Sequence, residues 1–381
     1  MKAKLEMVVL VGVSWLVKVL FLLYRAAPFC VPFAGVFYVL DGWLFAGQSP
    51  AYAGSATGVA ALAAALVTQR HPAKDNPYRA YLGWSGWLEK RVDGLIAWIG
   101  TIKYFTSPLG LVEDPGSYRI SGDEVRALVD GVLQPGDILL RGFDGYLDGV
   151  LIKLTSAKSG PGSGYSHAAL FLGDLNDTSD RAIAARRLEV LNPQGQWVAA
   201  TDQEMNAVRE NRRYFAAGRQ RVVHAMTRGV FTEDILTFLR CDYLAVLRLP
   251  ETLQLTPQEL ARKTDRSLIQ NLHQDAAAIR QALLRGDTVQ APDVLEAVRL
   301  SALGKIGSCY DFQFNDAKTH QRFSCSEFVY YCLKSIHCYI GLELKDHGLF
   351  GAFLVRQTIT PSDIYEAAVK HGKLAVVWQK A

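Results

Sequence analysis

The residue best placed to do covalent chemistry is Cys325, which lies in the run FSCSEF from Phe323 to Phe328. Ser324 and Glu327 have the spacing of a capping box, which predicts that Ser324 is the N-cap of a helix. Phe323 and Phe328 then occupy the two positions of a hydrophobic staple. Cys325 is therefore expected at the first helical position, where free backbone N–H groups and the helix dipole stabilise a nucleophilic thiolate. The alternative is a small buried apolar side chain, as most cysteines are.

A candidate base for this thiol lies upstream, where a Gly-rich loop at 160–164 leads into an apolar strand that begins with His167. Apolar residues occupy both faces of that strand, which predicts burial on both sides. A capped core histidine is the alternative interpretation. Because a cysteine and a histidine form the minimal pair of thiol nucleophile and base, we expect His167 to meet Cys325.

A third group should orient the imidazole and fix its tautomer. Glu189 is the first candidate, because it lies in the middle of the next strand-like run, at 187–191, with its apolar neighbours turned to the opposite face. A solvent-facing glutamate is the alternative. Asp174, at the end of the His167 strand, is a second candidate for the orienting role.

Five segments of the chain resemble the permuted papain-like cysteine hydrolases, the YiiX-like branch of the NlpC superfamily, which is related to the lecithin:retinol acyltransferases. In this permuted branch the histidine precedes the cysteine, as it does here, and the resemblance spans roughly residues 126–380. The segments are QPGDILLRG at 134–142, SHAALFLGD at 166–174, LEV at 188–190, IGSCYDFQF at 306–314 and FSCSEFVYYCL at 323–333.

The resemblance implies an α+β protein with a permuted papain-like (NlpC-type) fold, in which an antiparallel sheet packs on the Cys helix. It implies Cys325 as nucleophile, His167 as base and Glu189 as the third member, acting on amides, peptides or lipid esters without a cofactor. The first-turn N–H groups of the Cys helix are the expected oxyanion donors, with the Tyr310 hydroxyl as an alternative.

The expected function is therefore a thiol hydrolase or acyltransferase that cleaves an amide or ester acyl bond in a lipid-linked or acyl-amino-acid substrate. A cell-wall peptide endopeptidase or amidase is the alternative within the same fold. A non-catalytic lipid- or peptide-binding module of that fold is the alternative of another class.

The N-terminal part differs in composition from the remainder. Residues 1–68 form a hydrophobic, helix-prone segment and a possible membrane anchor, although each uninterrupted apolar stretch is shorter than the ~20 residues that span a bilayer. A buried helical hairpin and a signal peptide are the alternatives. Residues 69–125 are expected to form a helical linker region, and 126–381 the catalytic domain, with a helical insertion at about 251–300.

The net charge and the spacing of the cysteines limit the classes of partner and the kinds of site that the sequence predicts. The 381-residue chain is half hydrophobic and carries a formal net charge of +4, which is too small to indicate nucleic-acid binding. None of the six cysteines forms a C-x-x-C pair, so the sequence predicts neither a zinc site nor a disulfide framework. The expected partner is an acyl-lipid or peptide substrate, with membrane association possible and the bacterial cell envelope or the cytoplasmic face both left open.

Periodicity and capping signals predict the remaining elements. Strands are expected at 138–140, 243–249 and 374–378. Helices are expected at about 120–129, 146–155, 232–239 and 256–285, from about 293, and from Pro361.

Overall fold

The computed structural model describes residues 30, 33–34, 36–39, 54–62, 118–143, 164–175, 179–192, 194–215, 220–262, 273–311, 317, 320–349 and 354–380. Two compact units make up the chain. One contains residues 1–96 and 348–354, and the other contains residues 97–347 and 355–381.

The strands are β1 (Ile138–Gly142), β2 (His167–Asp174), β3 (Glu189–Leu191), β4 (Trp197–Ala199), β5 (Gln220–Met226), β6 (Gly229–Asp234), β7 (Tyr243–Arg248), β8 (Thr252–Leu253), β9 (Val289–Gln290), β10 (Cys309–Tyr310), β11 (Arg322–Phe323), β12 (Lys345–Leu349), β13 (Leu354–Thr358) and β14 (Ala375–Lys380). The helices of the larger unit are α1 (Gly122–Ala127), α2 (Ser179–Ile183), α3 (Asp202–Glu210), α4 (Ile235–Phe238), α5 (Pro257–Arg262), α6 (Gln274–Arg285), α7 (Ala291–Gly304), α8 (Cys325–Cys332), α9 (His337–Ile340) and α10 (Pro361–His371).

A six-stranded antiparallel sheet organises the larger unit, in the order β14-β7-β1-β2-β5-β6. Ile138 of the interior strand β1 pairs with Leu170 in β2 on one side and with Leu247 in β7 on the other. The unit is therefore α+β, as predicted from the sequence. The strand that begins with His167 is buried on both sides, as predicted, since β2 is buried from His167 to Gly173. Its neighbour β1 is buried throughout.

Apolar side chains cover both faces of this sheet. On one face, Ala168 and Leu170 belong to the cluster that contains Phe328 and Val329 of α8. On the other face, Phe171 belongs to the cluster that contains Phe238 of α4. Neighbouring residues of a strand point to opposite faces of a sheet. The body of α8 therefore packs on the face that carries the side chains of Ala168 and Leu170.

Several predicted elements are confirmed, with ends that differ by at most two residues from those expected. They are the strands β1, β7 and β14 and the helices α1, α8 and α10. The predicted helix at 232–239 is wrong in its first half. Thr232 is fully buried in β6, and helix α4 begins only at Ile235. The helix starts there because the Asp234 side chain accepts a hydrogen bond from the Leu236 N–H, which is an N-cap contact.

The single helix predicted for 256–285 is also wrong, because α6 has its own start. His273, its N-cap, has extended backbone angles (φ −65°, ψ 155°), so a helix cannot run through it. The region predicted as a helical insertion carries α5, α6 and most of α7. The helix predicted at 146–155 lies outside the described residues, as do most of the predicted segments 1–68 and 69–125.

In the smaller unit, the described residues include helical stretches at 33–34, 36–39 and 54–62. Ala61 is fully buried there, against Cys30, Phe33 and Leu62. Within the described part of the chain, every helix is too short or too polar to span a bilayer.

Candidate active site

Helix α8 begins at Cys325, as the capping signals predict. Ser324 is the N-cap, and its hydroxyl accepts a hydrogen bond from the Glu327 N–H at 3.4 Å. The Glu327 carboxylate accepts in return from the Ser324 N–H at 3.0 Å. The rings of Phe323 and Phe328 meet edge to face, with 5.8 Å between their centroids, and form the staple.

Two further hydrogen bonds fix this helix start to the end of β13 and the residue that follows it. The Ser326 hydroxyl donates to the Ile359 carbonyl at 2.7 Å, and the Thr358 hydroxyl donates to Oε1 of Glu327, also at 2.7 Å. All of these groups are buried. The first turn of α8 is therefore held by local contacts and by contacts distant in sequence, which is the rigidity that a catalytic constellation requires.

Glu327 is an unusual capping residue because it is buried. Burial, together with the nearby Asp311 carboxylate, raises its pKa from 4.5 to about 8. The capping glutamate of α1, Glu124, shows the opposite shift: its hydrogen bond with Lys380 is the largest cause that lowers its pKa to about 2. The same sequence signature thus has opposite electrostatic behaviour in two environments.

The thiol of Cys325 is buried, with 4 % of the residue exposed. Burial raises its pKa to about 11, although the backbone N–H groups of Ala168 and Ser326 act in the opposite direction. Desolvation outweighs the first-turn N–H groups of the helix, which are expected to stabilise a thiolate at this position. Cys325 rests as a neutral thiol.

The contact with Ala168 brings the thiol to the strand position that directly follows His167. The pairing of β2 with β5 runs from Leu170–Val223 to Asp174–Gln220. The N-terminal end of β2 lies beyond that ladder, and there the Ala168 N–H meets the first residue of α8. Two positions far apart in sequence are therefore adjacent in the structure at this edge of β2.

The His167 side chain forms its hydrogen bond with a second histidine. Its Nε2 lies 2.7 Å from Nδ1 of His224 in β5, and the two rings are nearly perpendicular, at 84°. Both rings also lie near Phe238, on the face of the sheet opposite the body of α8. Burial lowers the pKa of both imidazoles well below 6.5, and the positive charge of Arg141 lowers both further. Both histidines are therefore neutral in the resting protein.

Behind His224 lies an ion pair. The Nε2 atom of His224 is 3.7 Å from Oε2 of Glu233, and the same oxygen lies 3.5 Å from Nη1 of Arg141. Arg141 also donates to the Phe238 carbonyl at 3.0 Å. The polar groups thus form a continuous chain of contacts from His167 through His224 to the Glu233–Arg141 ion pair.

The two residues predicted to orient His167 do not do so. Glu189 lies in the two-stranded β3–β4 sheet, outside the six-stranded sheet, and its carboxylate accepts from Lys305 at 2.9 Å. The strand that carries Glu189 does not adjoin β2, whose neighbours in the sheet are β1 and β5. Asp174 is exposed at the far end of β2. His224 occupies the place expected for the orienting group.

The sequence carries a weak signal for His224. It is a titratable residue at an inward position of the apolar strand β5, where a buried polar group needs a partner. Tyr310, the alternative oxyanion donor, is partly buried in β10, which pairs with β11 just before α8.

Comparisons with protein-family models, with curated proteins and with solved structures find no match to this chain. Among the residues that the structure describes, no group of three or more His, Cys, Asp or Glu side chains is arranged to hold a metal ion.

Proposed function

We propose that this protein is a cysteine hydrolase or acyltransferase of the permuted papain-like type, with Cys325 as nucleophile, His167 as base and His224 as the orienting group. One observation carries the proposal. The thiol at the start of α8 contacts the N–H that follows His167, and Nε2 of the His167 ring is bonded to His224.

The roles of the two ring nitrogens follow from this contact. Since Nε2 of His167 is bonded to His224, the proposal assigns Nδ1 as the acceptor of the thiol proton. This role requires the His167 imidazole to turn from the Phe238 face toward the sulfur, at the N-terminal end of β2 where the Ala168 N–H meets α8. A thiol or hydroxyl nucleophile requires this division, in which one nitrogen of the base is oriented and the other accepts the proton.

The reaction runs in two acyl-transfer steps. As Nδ1 of His167 removes the thiol proton, the sulfur of Cys325 attacks the acyl carbonyl carbon and forms a C–S bond. The first-turn N–H groups of α8 stabilise the oxyanion. The imidazolium returns its proton to the leaving nitrogen or oxygen, and water or a second acceptor then releases the acyl group.

Proton transfer accompanies attack in this mechanism and does not precede it. A pKa of about 11 for Cys325 and a lowered pKa for His167 favour the neutral thiol and imidazole over a resting ion pair. The substrate therefore meets a neutral site, and charge develops only as the C–S bond forms. A dry site strengthens the hydrogen bonds that stabilise this charge.

The substrate class follows from composition and resemblance. The apolar segment 1–68 favours a lipid-linked or fatty-acyl amide or ester, presented at a membrane surface. A cell-wall peptide is the alternative substrate for the same residues.

The direct test is acylation of Cys325. The full-length protein is incubated with an activated acyl ester, a fatty-acyl amide and a muropeptide, and each is followed by intact-protein and peptide mass spectrometry. An acyl adduct on Cys325 and turnover that Cys325→Ala abolishes are the expected results. Cys332→Ala, which removes the other buried thiol of the same helix, is the matched control and should retain turnover.

Turnover by Cys325→Ala that equals wild type overturns the assignment of the nucleophile. Saturable binding of an acyl ligand with neither adduct nor turnover supports the binding module instead. A bifunctional alkylating agent, such as 1,3-dibromoacetone, adds a geometric test. A cross-link between Cys325 and His167 is expected, and a cross-link that excludes His167 contradicts the pair.

A further inference from the structure

The second nitrogen of His224 lies in an unusual environment. His224 is fully buried, and its Nε2 atom has no hydrogen-bond partner. The Glu233 carboxylate lies 3.7 Å from this nitrogen, on the adjacent strand β6. A buried polar atom this close to a charge has a strongly preferred protonation state, because the surroundings screen the charge poorly.

Two tautomers of the histidine pair are compatible with the 2.7 Å contact between the rings. In the first, Nε2–H of His167 donates to Nδ1 of His224, so His224 carries its proton on Nε2, facing Glu233. In the second, Nδ1–H of His224 donates to His167, and the lone pair of Nε2 faces the carboxylate. The first arrangement is attractive and the second is repulsive, so the carboxylate selects the first.

The selected tautomer has a consequence at the other end of the pair. His167 then carries its proton on Nε2, and its Nδ1 is bare and basic. In the second tautomer Nδ1 of His167 is protonated and cannot accept the thiol proton. Through the intervening His224 ring, the charge on Glu233 thus decides which nitrogen of the His167 ring acts as base.

The other charges near His224 are positive. Arg141 and Arg228 both lower the pKa of this imidazole, and Arg141 holds the Glu233 carboxylate on the side of the ring through its 3.5 Å contact. Glu233 therefore supplies the negative charge that opposes these cations when a proton arrives at His167.

We propose that Glu233 is a positioning residue that fixes the tautomer of the His224–His167 pair and thereby leaves Nδ1 of His167 as the base. This inference rests on the proposed function for its catalytic meaning, although the tautomer itself is a property of the resting protein.

The experiment combines ¹⁵N NMR of histidine-labelled full-length protein with steady-state kinetics. In wild type, His167 should show a protonated Nε2 and an unprotonated Nδ1. In Glu233→Gln, an increased share of the opposite tautomer is expected, with kcat lower on the order of 10- to 100-fold and KM little changed. The loss is smaller than the ~10⁴-fold cost of a wrong tautomer in a triad, because Glu233 acts through a second ring. Glu233→Asp keeps the charge and should retain the wild-type tautomer.

Asp234→Asn is the matched control. It neutralises the next carboxylate along β6, which faces Arg221, and asparagine is an equally good N-cap for α4. Neither the tautomer nor kcat should change in this variant.

The outcomes separate the two proposals. A wild-type spectrum with a protonated Nδ1 on His167, or an unchanged tautomer in Glu233→Gln, overturns the role of Glu233, and the wild-type spectrum requires no variant to fold. Full activity in Cys325→Ala overturns the proposed function and leaves the tautomer result standing.

Discussion

The imidazoles of His167 and His224 join neighbouring strands of the sheet through a single contact of 2.7 Å between Nε2 and Nδ1. The contact is formed where the β2–β5 ladder has ended, at the level where α8 reaches β2. This pair of rings stands where the sequence predicts an acid–histidine pair, and the pKa of each imidazole lies well below its usual value because both are buried.

Removing the His224 ring should therefore impair turnover more than folding. We expect His224→Ala to lower kcat on the order of 100-fold, because His167 loses its orienting partner. His224→Asn should retain more activity, since its amide oxygen can accept from Nε2 of His167. Steady-state kinetics of both variants, with thermal melts to compare their stability, is the measurement. Equal activity of His224→Ala and wild type would remove His224 from the site.

Glu189→Gln should leave turnover unchanged and should lower stability. The carboxylate accepts from the ammonium of Lys305, which is 5 % exposed, while the glutamate is 35 % exposed. We expect a loss of roughly 1–2 kcal/mol in the free energy of unfolding, below the cost of breaking a fully buried pair because solvent reaches the glutamate. Urea denaturation measures this loss. A fall in kcat without a loss of stability would instead indicate that Glu189 takes part in catalysis.

The stability of the protein should decrease as the pH rises through the titration of Glu327. Its ordinary pKa is 4.5 and its pKa in the folded protein is about 8, so the folded state keeps a proton that the unfolded chain releases between these values. The contribution is fully present below about pH 4.5 and is lost as the pH rises to about 8. Glu327→Gln should flatten this slope in chemical denaturation measured from pH 5 to 8.

Glu124 provides the contrast for that measurement. Its pKa is lowered to about 2 in the folded protein, so its contribution is present above about pH 4.5 and is lost as the pH falls toward 2. Glu124→Gln should therefore leave the slope between pH 5 and 8 unchanged. A flattened slope in this variant would show that Glu327 is not the source.

Cys325 should react slowly with alkylating agents in the resting protein. It is buried and its pKa is raised to about 11, whereas Cys309 is exposed. We expect iodoacetamide to label Cys309 well before Cys325 at pH 6 to 8, because only the thiolate reacts and the buried sulfur is shielded. Timed labelling followed by peptide mass spectrometry gives both rates. Faster labelling of Cys325 at pH 6 would contradict the neutral, covered thiol.

Local signals predict much of this site because they act within a few residues. Ser324, Glu327 and the two flanking phenylalanines specify a helix that starts at Cys325, and the hydrogen bonds of the capping box form as expected. The apolar run after His167 likewise specifies a strand buried on both faces. These elements need no distant partner to be recognised.

The orienting residue and the state of the thiol depend on distant contacts, and local patterns do not encode these. The pairing of β2 with β5 skips β3 and β4, so the strand nearest in sequence is not the neighbour in space. The pKa of Cys325 depends on how much of the molecule covers it, which a capping signature does not report. The roles of Cys325 and His167 therefore stay predictions, whereas the predicted contact between Glu189 and His167 is wrong because Glu189 pairs with Lys305.

The edge strand β14 lies beside β7 and is formed by the last segment of the chain that the structure describes, after α8 and α10. During translation, β1, β2 and β7 are synthesised early. The edge of β7 that pairs with β14 stays uncovered until residues 375–380 leave the ribosome. The helix that carries the thiol also emerges late, more than a hundred residues after His167. The interior of the sheet is consequently synthesised before both the helix that begins at Cys325 and the strand that covers the β7 edge, so the final pairing of the sheet follows the synthesis of α8 and α10.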